Sequence, residues 1–396
     1  MKEMQGLSEG QKIFTSAVRS GRNIFLTGKA GSGKSHVVKY VMEQMNFRKK
    51  KFVAVAPTGI AANNIKGQTI HSMFQINPFG IMDFEACSYM NNTKRRILEA
   101  AEVFIIDEVS MLRPDILDAM NWTLLKNKIG KLSDKQIIFV GDMKQLQVII
   151  DDNAKSVLYS KEYKGHTFQD ALCYEELDVL NIELKEILRQ SDPEFIENLN
   201  IIREGGKSPY FKQFVSTEFS GIVLAPHNST VQDYNVRGLE KIDSELIEFR
   251  ADFDGKARAG EFPADPIIHV KQGARIMYLV NSKSDNDLIN GTLGIFKEKD
   301  GKYLITVGKN DYQIKRHEFT KKEYVLDYKT GNLELMTVGT MKQYPIRLAY
   351  ALSIHKSQGL TFDEVTVDLS APCFAEGQMY VALSRVKSPE GLKIIV

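Results

Sequence analysis

The octapeptide Gly28-Lys29-Ala30-Gly31-Ser32-Gly33-Lys34-Ser35 constrains this chain more than any other feature, because it fits G-x-x-x-x-G-K-[ST] in the context that gives the pattern meaning. An apolar strand, residues 23–27, runs into it. Residues 35–45 leave it with Val37, Val38, Val41, Met42 and Met45 at helical spacing. Glycines here let backbone N–H groups close around phosphate oxygens. Lys34 reaches the outer phosphates, and the Ser35 hydroxyl ligates Mg²⁺. A glycine-rich turn that merely carries a lysine is the alternative, and it has no need of the strand before or the helix after.

The same punctuation recurs down the first 150 residues. Residues 52–56 end in Pro57-Thr58-Gly59, residues 103–106 in Asp107-Glu108, and residues 136–140 in Gly141-Asp142. Short apolar strands alternating with helices imply an α/β fold with a parallel sheet covered on both faces. Ligands then collect at the carboxyl ends of the strands, so these polar termini line one crevice. Strand-like runs return at 221–225, 364–369 and 392–396, which implies a second α/β domain. Between them, residues 265–340 turn β-rich, with strand candidates at 275–281, 291–297, 302–307 and 322–327 joined by Asn-Gly, Asp-Gly and Lys-Asn turns. That pattern reads as a small inserted barrel. A shorter irregular stretch, residues 72–92, interrupts the first domain.

Composition narrows the class without choosing the function. With 396 residues, 43% hydrophobic and 26% charged, the chain reads as a globular protein of two or three domains. Its apolar runs are strand-sized, too short to span a bilayer, and residues 1–11 have no apolar core for a signal peptide, so a cytoplasmic protein is expected. Three scattered cysteines exclude a disulfide framework, and seven histidines show no zinc spacing. Fifty-two basic residues against fifty acidic give +2, so any nucleic-acid groove must be built locally. The densest basic run, residues 48–51, reads as a solvated helix end.

Asp107 and Glu108 supply the chemistry that the phosphate loop lacks. An aspartate at the end of a buried strand beside such a loop holds Mg²⁺, and the adjacent glutamate orients and deprotonates a water. A pair of carboxylates capping a helix is the alternative for this dipeptide alone. Joined to the loop, the pair reads as an NTP-hydrolysing site.

From here the motifs run in a recognisable order. The chain resembles superfamily-one DNA helicases that move 5′ to 3′, most closely the Pif-type (petite-integration-frequency) branch, and is similar to the phage Dda and RecD types. The resemblance covers essentially the whole chain. It implies two RecA-like P-loop domains with parallel sheets, ATP and Mg²⁺ between them, and single-stranded DNA across their tops. It further implies a small wedge insertion (72–92) in the first domain, residues 1–187, and a second domain made of 188–264 and 341–396. The inserted barrel, 265–340, would be SH3-like.

Motif by motif, Leu7-Ser8-Glu9-Gly10-Gln11 is similar to the adenine-reading segment, with Gln11 pairing to the base; a capped helix with a surface Gln11 is the alternative. Residues 56–62 and 69–74 resemble the first domain's DNA motif, which gives Pro57, Thr58, Gly59, His71 and Ser72 to the strand. Residues 107–118 resemble the Pif-type extension of the hydrolysis motif. Gly141-Asp142-Met143-Lys144-Gln145-Leu146 resembles the coupling motif, in which Gln145 senses the γ-phosphate. This chain departs from the family just after it, where Gln147 and Val148 replace paired prolines, so a less rigid turn is expected.

In the second half, residues 184–192 and 377–385 resemble the motifs whose arginines, Arg189 and Arg385, reach the γ-phosphate across the cleft. Residues 353–361 resemble the stretch that gives His355, Lys356 and Ser357 to DNA and Gln358 and Gly359 to the nucleotide. Asn228 follows His227, where the family has threonine, and is a further DNA contact. Phe79, in Asn77-Pro78-Phe79-Gly80, has the setting of an aromatic at the tip of a wedge, or of a residue folded back into the core.

The expected activity is therefore an ATP-dependent DNA helicase, with Lys34, Asp107, Glu108, Gln145, Arg189 and Arg385 at the reaction. Its nucleotide would sit on Gln11, Gly28, Ala30, Gly31, Ser32, Gly33, Lys34, Ser35, Gln358 and Gly359. Expected partners are single-stranded DNA and forked or tailed duplexes, with G-quadruplex DNA a further candidate, and no membrane. A monomeric motor, bacterial nucleoid-associated or phage-encoded, is implied. Two alternatives stay open: a translocase that strips proteins from single strands without unwinding, and a slow P-loop switch.

Overall fold

A computed structural model describes residues 6–77, 80–148, 150, 152–186, 192–282, 288–327, 330 and 332–396. Two compact units divide it: Met1–Arg189 with Lys322–Thr337, and Gln190–Lys321 with Val338–Val396.

The first unit is built on a six-stranded sheet. Its strands are β1 (Ile24–Gly28), β2 (Phe52–Ala56), β3 (Gln68–Thr69), β4 (Val103–Ile106), β5 (Gln136–Val140) and β6 (Leu180–Leu184), in the order β3-β2-β4-β5-β1-β6. Every pairing is parallel. Strand alternation divides the apolar residues between two cores. Phe25, Val53, Val55, Phe104, Ile106 and Phe139 face one. Ile24, Leu26, Ala54, Val103, Ile105 and Val140 face the other. This is why β2, β4 and β5 are buried at every position and read as continuous apolar runs.

Residues 72–92 are less irregular than their composition implies. Ile70–Phe74 is a short helix capped by Thr69. Beyond it, Ile76, Met82, Cys87 and Met90 are buried in the first core. Four buried apolar anchors tie down a segment with no periodicity of its own.

The second unit has a four-stranded parallel sheet. Following β7 (Ile222–Ala225) come β8 (Leu246–Arg250), β9 (Asp252–Gly255), β10 (Ile267–Lys271), β11 (Arg275–Tyr278), β12 (Leu293–Lys299), β13 (Lys302–Val307) and β14 (Asn310–Gln313). Then come β15 (His317–Leu326), β16 (Leu333–Gln343), β17 (Ile346–Leu348), β18 (Ala351–Ser353), β19 (Val365–Asp368) and β20 (Leu392–Ile395). The parallel sheet runs β18-β7-β19-β20. The β-rich region between β7 and β18 is wider than residues 265–340. It forms the antiparallel sheet β14-β13-β12-β11-β17, the ribbon β10-β8, and the set β15-β16-β9. Phe249 and Ile268 of the ribbon share one core with Ile276, Phe296, Ile305 and Ile346 of the sheet. Its β12–β13 hairpin turns on Asp300 (φ 52°) and Gly301 (φ 68°), the left-handed pair that a two-residue hairpin requires. The far end of the β15–β16 pair, Lys322–Thr337, belongs to the first unit. Among the described residues, no helix is long and apolar enough to cross a membrane.

Candidate nucleotide and nucleic-acid sites

In the first unit, β4, β5 and β1 are neighbours and parallel, so the segments leaving their carboxyl ends emerge side by side. The loop leaving β1 is cut for a phosphate. Gly28 has φ 152°, and a Cβ there would come within 2.7 Å of the Leu184 carbonyl oxygen and of Ser32 Oγ. Gly33 (φ 83°) opens the helix Lys34–Phe47 with no side-chain cap, which leaves that helix start to an anion. Lys34 Nζ folds over the loop and donates to the carbonyls of Gly28 (2.6 Å) and Lys29 (3.2 Å). Ser32 Oγ is buried with no hydrogen-bond partner among the described residues. Ala30 is buried, Gly31 has φ 81°, and Ser35 is exposed on the helix's first turn. The cradle fits a nucleotide phosphate, and the hydroxyl of Ser35 with the carboxylate of Asp107 is the hard-oxygen donor set that suits Mg²⁺.

Asp107 leaves β4 half-buried. Burial and then the neighbouring Glu108 charge push its carboxyl well above the ordinary range. A nearby cation would offset both effects. Glu108 is held at φ 52°, a left-handed conformation uncommon for a residue with a Cβ, and its N–H donates to Asp107 Oδ1 (3.0 Å). After β5, the buried Asp142 side chain accepts from the Lys144 N–H (3.1 Å) and from Gln145 Nε2 (3.3 Å), so it orients Gln145.

The turn beyond Leu146 is held without prolines. Val148 N–H donates to the Ser110 carbonyl (3.2 Å), a bond no proline could make. Gln147 Nε2 donates to the Met143 carbonyl (3.1 Å), and Gln147 Oε1 lies 3.3 Å from His166 Nε2. Hydrogen bonds thus hold this turn where the family has proline rings, and they join residues 147–148 to the segment after Glu108.

Gln11 is buried, not on the surface. It closes a capping box with Ser8: Ser8 N–H donates to Gln11 Oε1 (3.0 Å) and Gln11 N–H to Ser8 Oγ (3.4 Å). Its Nε2 donates to the Gly33 carbonyl (3.5 Å), so the amide also touches the phosphate loop.

Pro57, Thr58 and Gly59 follow β2 on the same sheet edge, half-buried, with Thr58 capping the helix Gly59–Asn64 through the Ala61 N–H. His71 and Ser72 lie on the helix Ile70–Phe74, both half-buried. Burial, then the Arg113 charge, lower the pKa of His71, which keeps it neutral near pH 7. Phe79 lies outside the described residues.

Within the 107–118 stretch that resembles the Pif-type extension, Arg113 and Asp115 form an anchor, a role the resemblance does not assign them. The fully buried Asp115 accepts Arg113 Nε (2.9 Å) and Nη2 (2.7 Å) together with the Met82 N–H (2.8 Å), and Arg113 Nη2 also donates to the Gly80 carbonyl (2.6 Å). Asp118, equally buried, accepts the N–H groups of Leu172 and Cys173. The unusual signal was two acids within the otherwise apolar run 114–120, which must be paired if they are inside.

In the second unit Asn228 is exposed at the start of the helix Asn228–Glu240. His227 lies 3.1 Å from the Pro372 carbonyl and packs on the ring of Phe374 (5.0 Å), which stacks on His355 at 6.1 Å. Burial lowers the His355 pKa. Lys356 is exposed, but Ser357 is fully buried and its hydroxyl donates to the Ile354 carbonyl (2.7 Å). Ser357 therefore shapes the turn from inside instead of facing a strand. Gln358 keeps a buried Nε2 without a partner among the described residues, and Gly359 is exposed at φ 77°. Arg385 is turned inward too: Nε donates to the Val381 carbonyl (2.8 Å), Nη1 to those of Ser357 and Leu360, and Nη2 to Ser384 Oγ (2.7 Å). A guanidinium held this way braces the 354–360 turn. Arg189 lies outside the described residues.

A phosphate loop, a carboxylate pair and the Asp142–Gln145 turn on adjacent strands, followed by a second parallel α/β unit, define a P-loop motor ATPase. The family described as PIF1-like helicase matches residues 7–207. The chain belongs to that family. It is 27% identical to the ATP-dependent DNA helicase Pif1 of Campylobacter jejuni over 94% of this chain and 88% of that protein. It is 30% identical to the Xenopus laevis ATP-dependent DNA helicase PIF1 over 98% of this chain, spanning 61% of that longer protein. Among solved structures it is similar to Bacteroides Pif1 in complex with ADP-AlF4 (TM-score 0.85, 31% identity, 98% and 92% of the two chains) and to Bacteroides Pif1 bound to ssDNA (TM-score 0.69, 32% identity, 98% and 92%).

Proposed function

We propose that this PIF1-like helicase is an ATP-dependent DNA helicase that moves 5′ to 3′ along single-stranded DNA and separates duplex strands at forks and tails. The observation that carries the reading is the alignment on one sheet edge of the phosphate loop after β1, Asp107-Glu108 after β4 and the Asp142–Gln145 turn after β5, with Thr58 beyond β2. Hydrolysis and strand contact thereby share a rigid edge.

In this reading Lys34 and the loop amides hold the β- and γ-phosphates, and Glu108 takes the proton of the attacking water. Gln145 reports the γ-phosphate to the Ser110 segment. Ser35 and Asp107 would hold Mg²⁺, which supplies charge neutralisation at the transferring phosphoryl group. Gln11, Gln358 and Gly359 border the nucleotide, and Arg189 and Arg385 complete the site, Arg385 after release from its carbonyls. Pro57, Thr58, Gly59, His71, Ser72, Asn228, His355 and Lys356 contact the strand, and Ser357 supports them. The β-rich region is the SH3-like barrel, supported by the core its two sheets share. G-quadruplex DNA is a further substrate of the same motor, which acts as a monomer.

The relatives' names support the activity class, and the complexes of Bacteroides Pif1 with ADP-AlF4 and ssDNA support the ligand pair. The experiment is unwinding of forked duplexes that carry only a 5′ or only a 3′ single-stranded tail, with ATPase measured with and without single-stranded DNA. The reading expects stimulated ATPase and unwinding from the 5′ tail. Preference for the 3′ tail removes the polarity, and unstimulated ATPase removes the motor.

A further inference from the structure

The second unit contains a cavity of about 240 Å³ walled by the helix Asn228–Glu240, by β10, and by the run through β17 and β18. Asn228 and Lys356 at its margin belong to the strand-binding motifs already described, but its inner wall does not. Arg347 lies there, in β17 opposite Met277 of β11, and is only 9% exposed. Its Nη2 donates to the Pro263 carbonyl, which sets the plane of the guanidinium. Its Nε is buried and has no partner among the described residues.

A buried cation without a compensating anion is costly, and a planar guanidinium with an open N–H edge is shaped for carboxylate or phosphate oxygens. The acid lining the cavity is Asp265, which is exposed and favours the charged form of Arg347 from a distance. The same cavity faces Lys356, whose pKa is drawn down by desolvation and then by the Arg347 charge. Two cations repelling across one small cavity are both relieved by an anion placed between them. Asn235, whose side chain is spent on the backbone of Tyr350 and Ala351, keeps the wall rigid.

We propose that this cavity is a phosphate pocket in which Arg347 seats one phosphodiester of the bound single strand, with Lys356 on its outer side. The inference rests on the single-strand motor reading and adds to it a residue outside every motif. A DNA phosphate fits better than a free carboxylate ligand because Asn228 and Lys356, on the same cavity, are exposed and belong to the motifs that the family resemblance gives to the strand.

The test is binding of a fluorescent oligodeoxynucleotide to the full chain over a range of salt, for the wild type, Arg347→Gln and Asp265→Asn, with the melting of each variant recorded. Arg347→Gln should weaken binding roughly tenfold or more at fixed salt. Its slope of log K against log salt should become shallower by about 0.7, one single-strand phosphate. Asp265→Asn removes the opposing charge and should bind more tightly than wild type. It decides the matter where Arg347→Gln does not fold. A folded Arg347→Gln with wild-type affinity and slope, or Asp265→Asn with unchanged or weaker binding, overturns the pocket. Failure of the wild type to bind the oligonucleotide overturns the motor reading itself, a different outcome from an unchanged slope.

Discussion

The phenolic oxygen of Tyr324 accepts the backbone N–H of Ala54 at 2.9 Å, and the Tyr324 N–H donates to Gln68 Oε1 at 3.0 Å. Because β3 is only two residues long and pairs with Val55 and Ala56, the earlier half of β2 has an open edge, and a side chain completes it. Gln68 Nε2 in turn reaches Ser72 Oγ (3.5 Å), so the plug is wired to a candidate DNA-contacting helix. Beside it Lys94 and Glu323 form a mostly buried pair at 3.8 Å.

Tyr324→Phe should cost about 1–3 kcal/mol, the penalty for leaving the Ala54 N–H buried and unpaired. Burial pushes the Tyr324 pKa up to about 12, so the fold favours the protonated phenol. Its contribution is therefore complete below about pH 10, the ordinary tyrosine value, and is lost as pH rises through about 12. Melting curves of wild type and Tyr324→Phe at pH 8 and pH 11 check this. The gap between them should narrow at the higher pH, and a constant gap would contradict the assignment.

At the nucleotide site, Lys34→Ala should abolish turnover and loosen the loop that Lys34 spans, whereas Glu108→Gln should bind ATP normally and fail to hydrolyse it. The left-handed backbone of Glu108 adds a second handle. Glycine adopts φ 52° without the roughly 1–2 kcal/mol penalty of a side chain, although it loses more freedom on folding. Glu108→Gly should thus be as stable as wild type or up to about 1 kcal/mol more so while inactive, as thermal melting and ATPase assays would show. Hydrolysis by Glu108→Gln at the wild-type rate would remove Glu108 from the role of base.

Position 148 separates ring constraint from hydrogen bonding. Val148→Pro deletes the donor to the Ser110 carbonyl and should destabilise by about 1–3 kcal/mol and weaken the coupling of DNA binding to hydrolysis. Gln147→Pro removes only side-chain bonds and should be the milder change. Equal effects in denaturant melts would mean that the Val148 bond carries no weight.

Much of this architecture could be read from local pattern. β2, β4 and β5 announce themselves because burial on both faces makes every residue apolar except Gln136, which opens β5, and the phosphate loop because its glycines and lysine sit at fixed offsets. What could not be read depends on contacts distant in sequence. The turn at Gln147 and Val148 looks slack until Ser110 is placed beside it. Ser357 and Arg385 belong to strand and nucleotide motifs by spacing, yet their side chains turn inward onto carbonyls. Arg347 has no motif, and only the cavity reveals it. Tyr324, 270 residues from its partner, occupies a β-rich stretch that composition assigns elsewhere.

The pairing of Arg113 with Asp115 bears on strand separation. Splitting a duplex requires a firm obstacle at the fork, and Gly80 and Met82 are fixed to this pair through the Gly80 carbonyl and the Met82 N–H. Arg113→Lys keeps the charge but cannot fork between Asp115 and Gly80. It should leave single-strand-stimulated ATPase largely intact and reduce unwinding of a forked duplex severalfold. Asp115→Ala is the harsher change, because it strands a partly buried guanidinium, at about 3–5 kcal/mol for a fully buried pair. Phe79→Ala tests the obstacle itself: loss of unwinding with ATPase and single-strand translocation preserved supports an aromatic that stacks on the terminal base pair, worth roughly 1–3 kcal/mol. If Arg113→Lys and Phe79→Ala both unwind at the wild-type rate, strand separation is carried by another part of the chain.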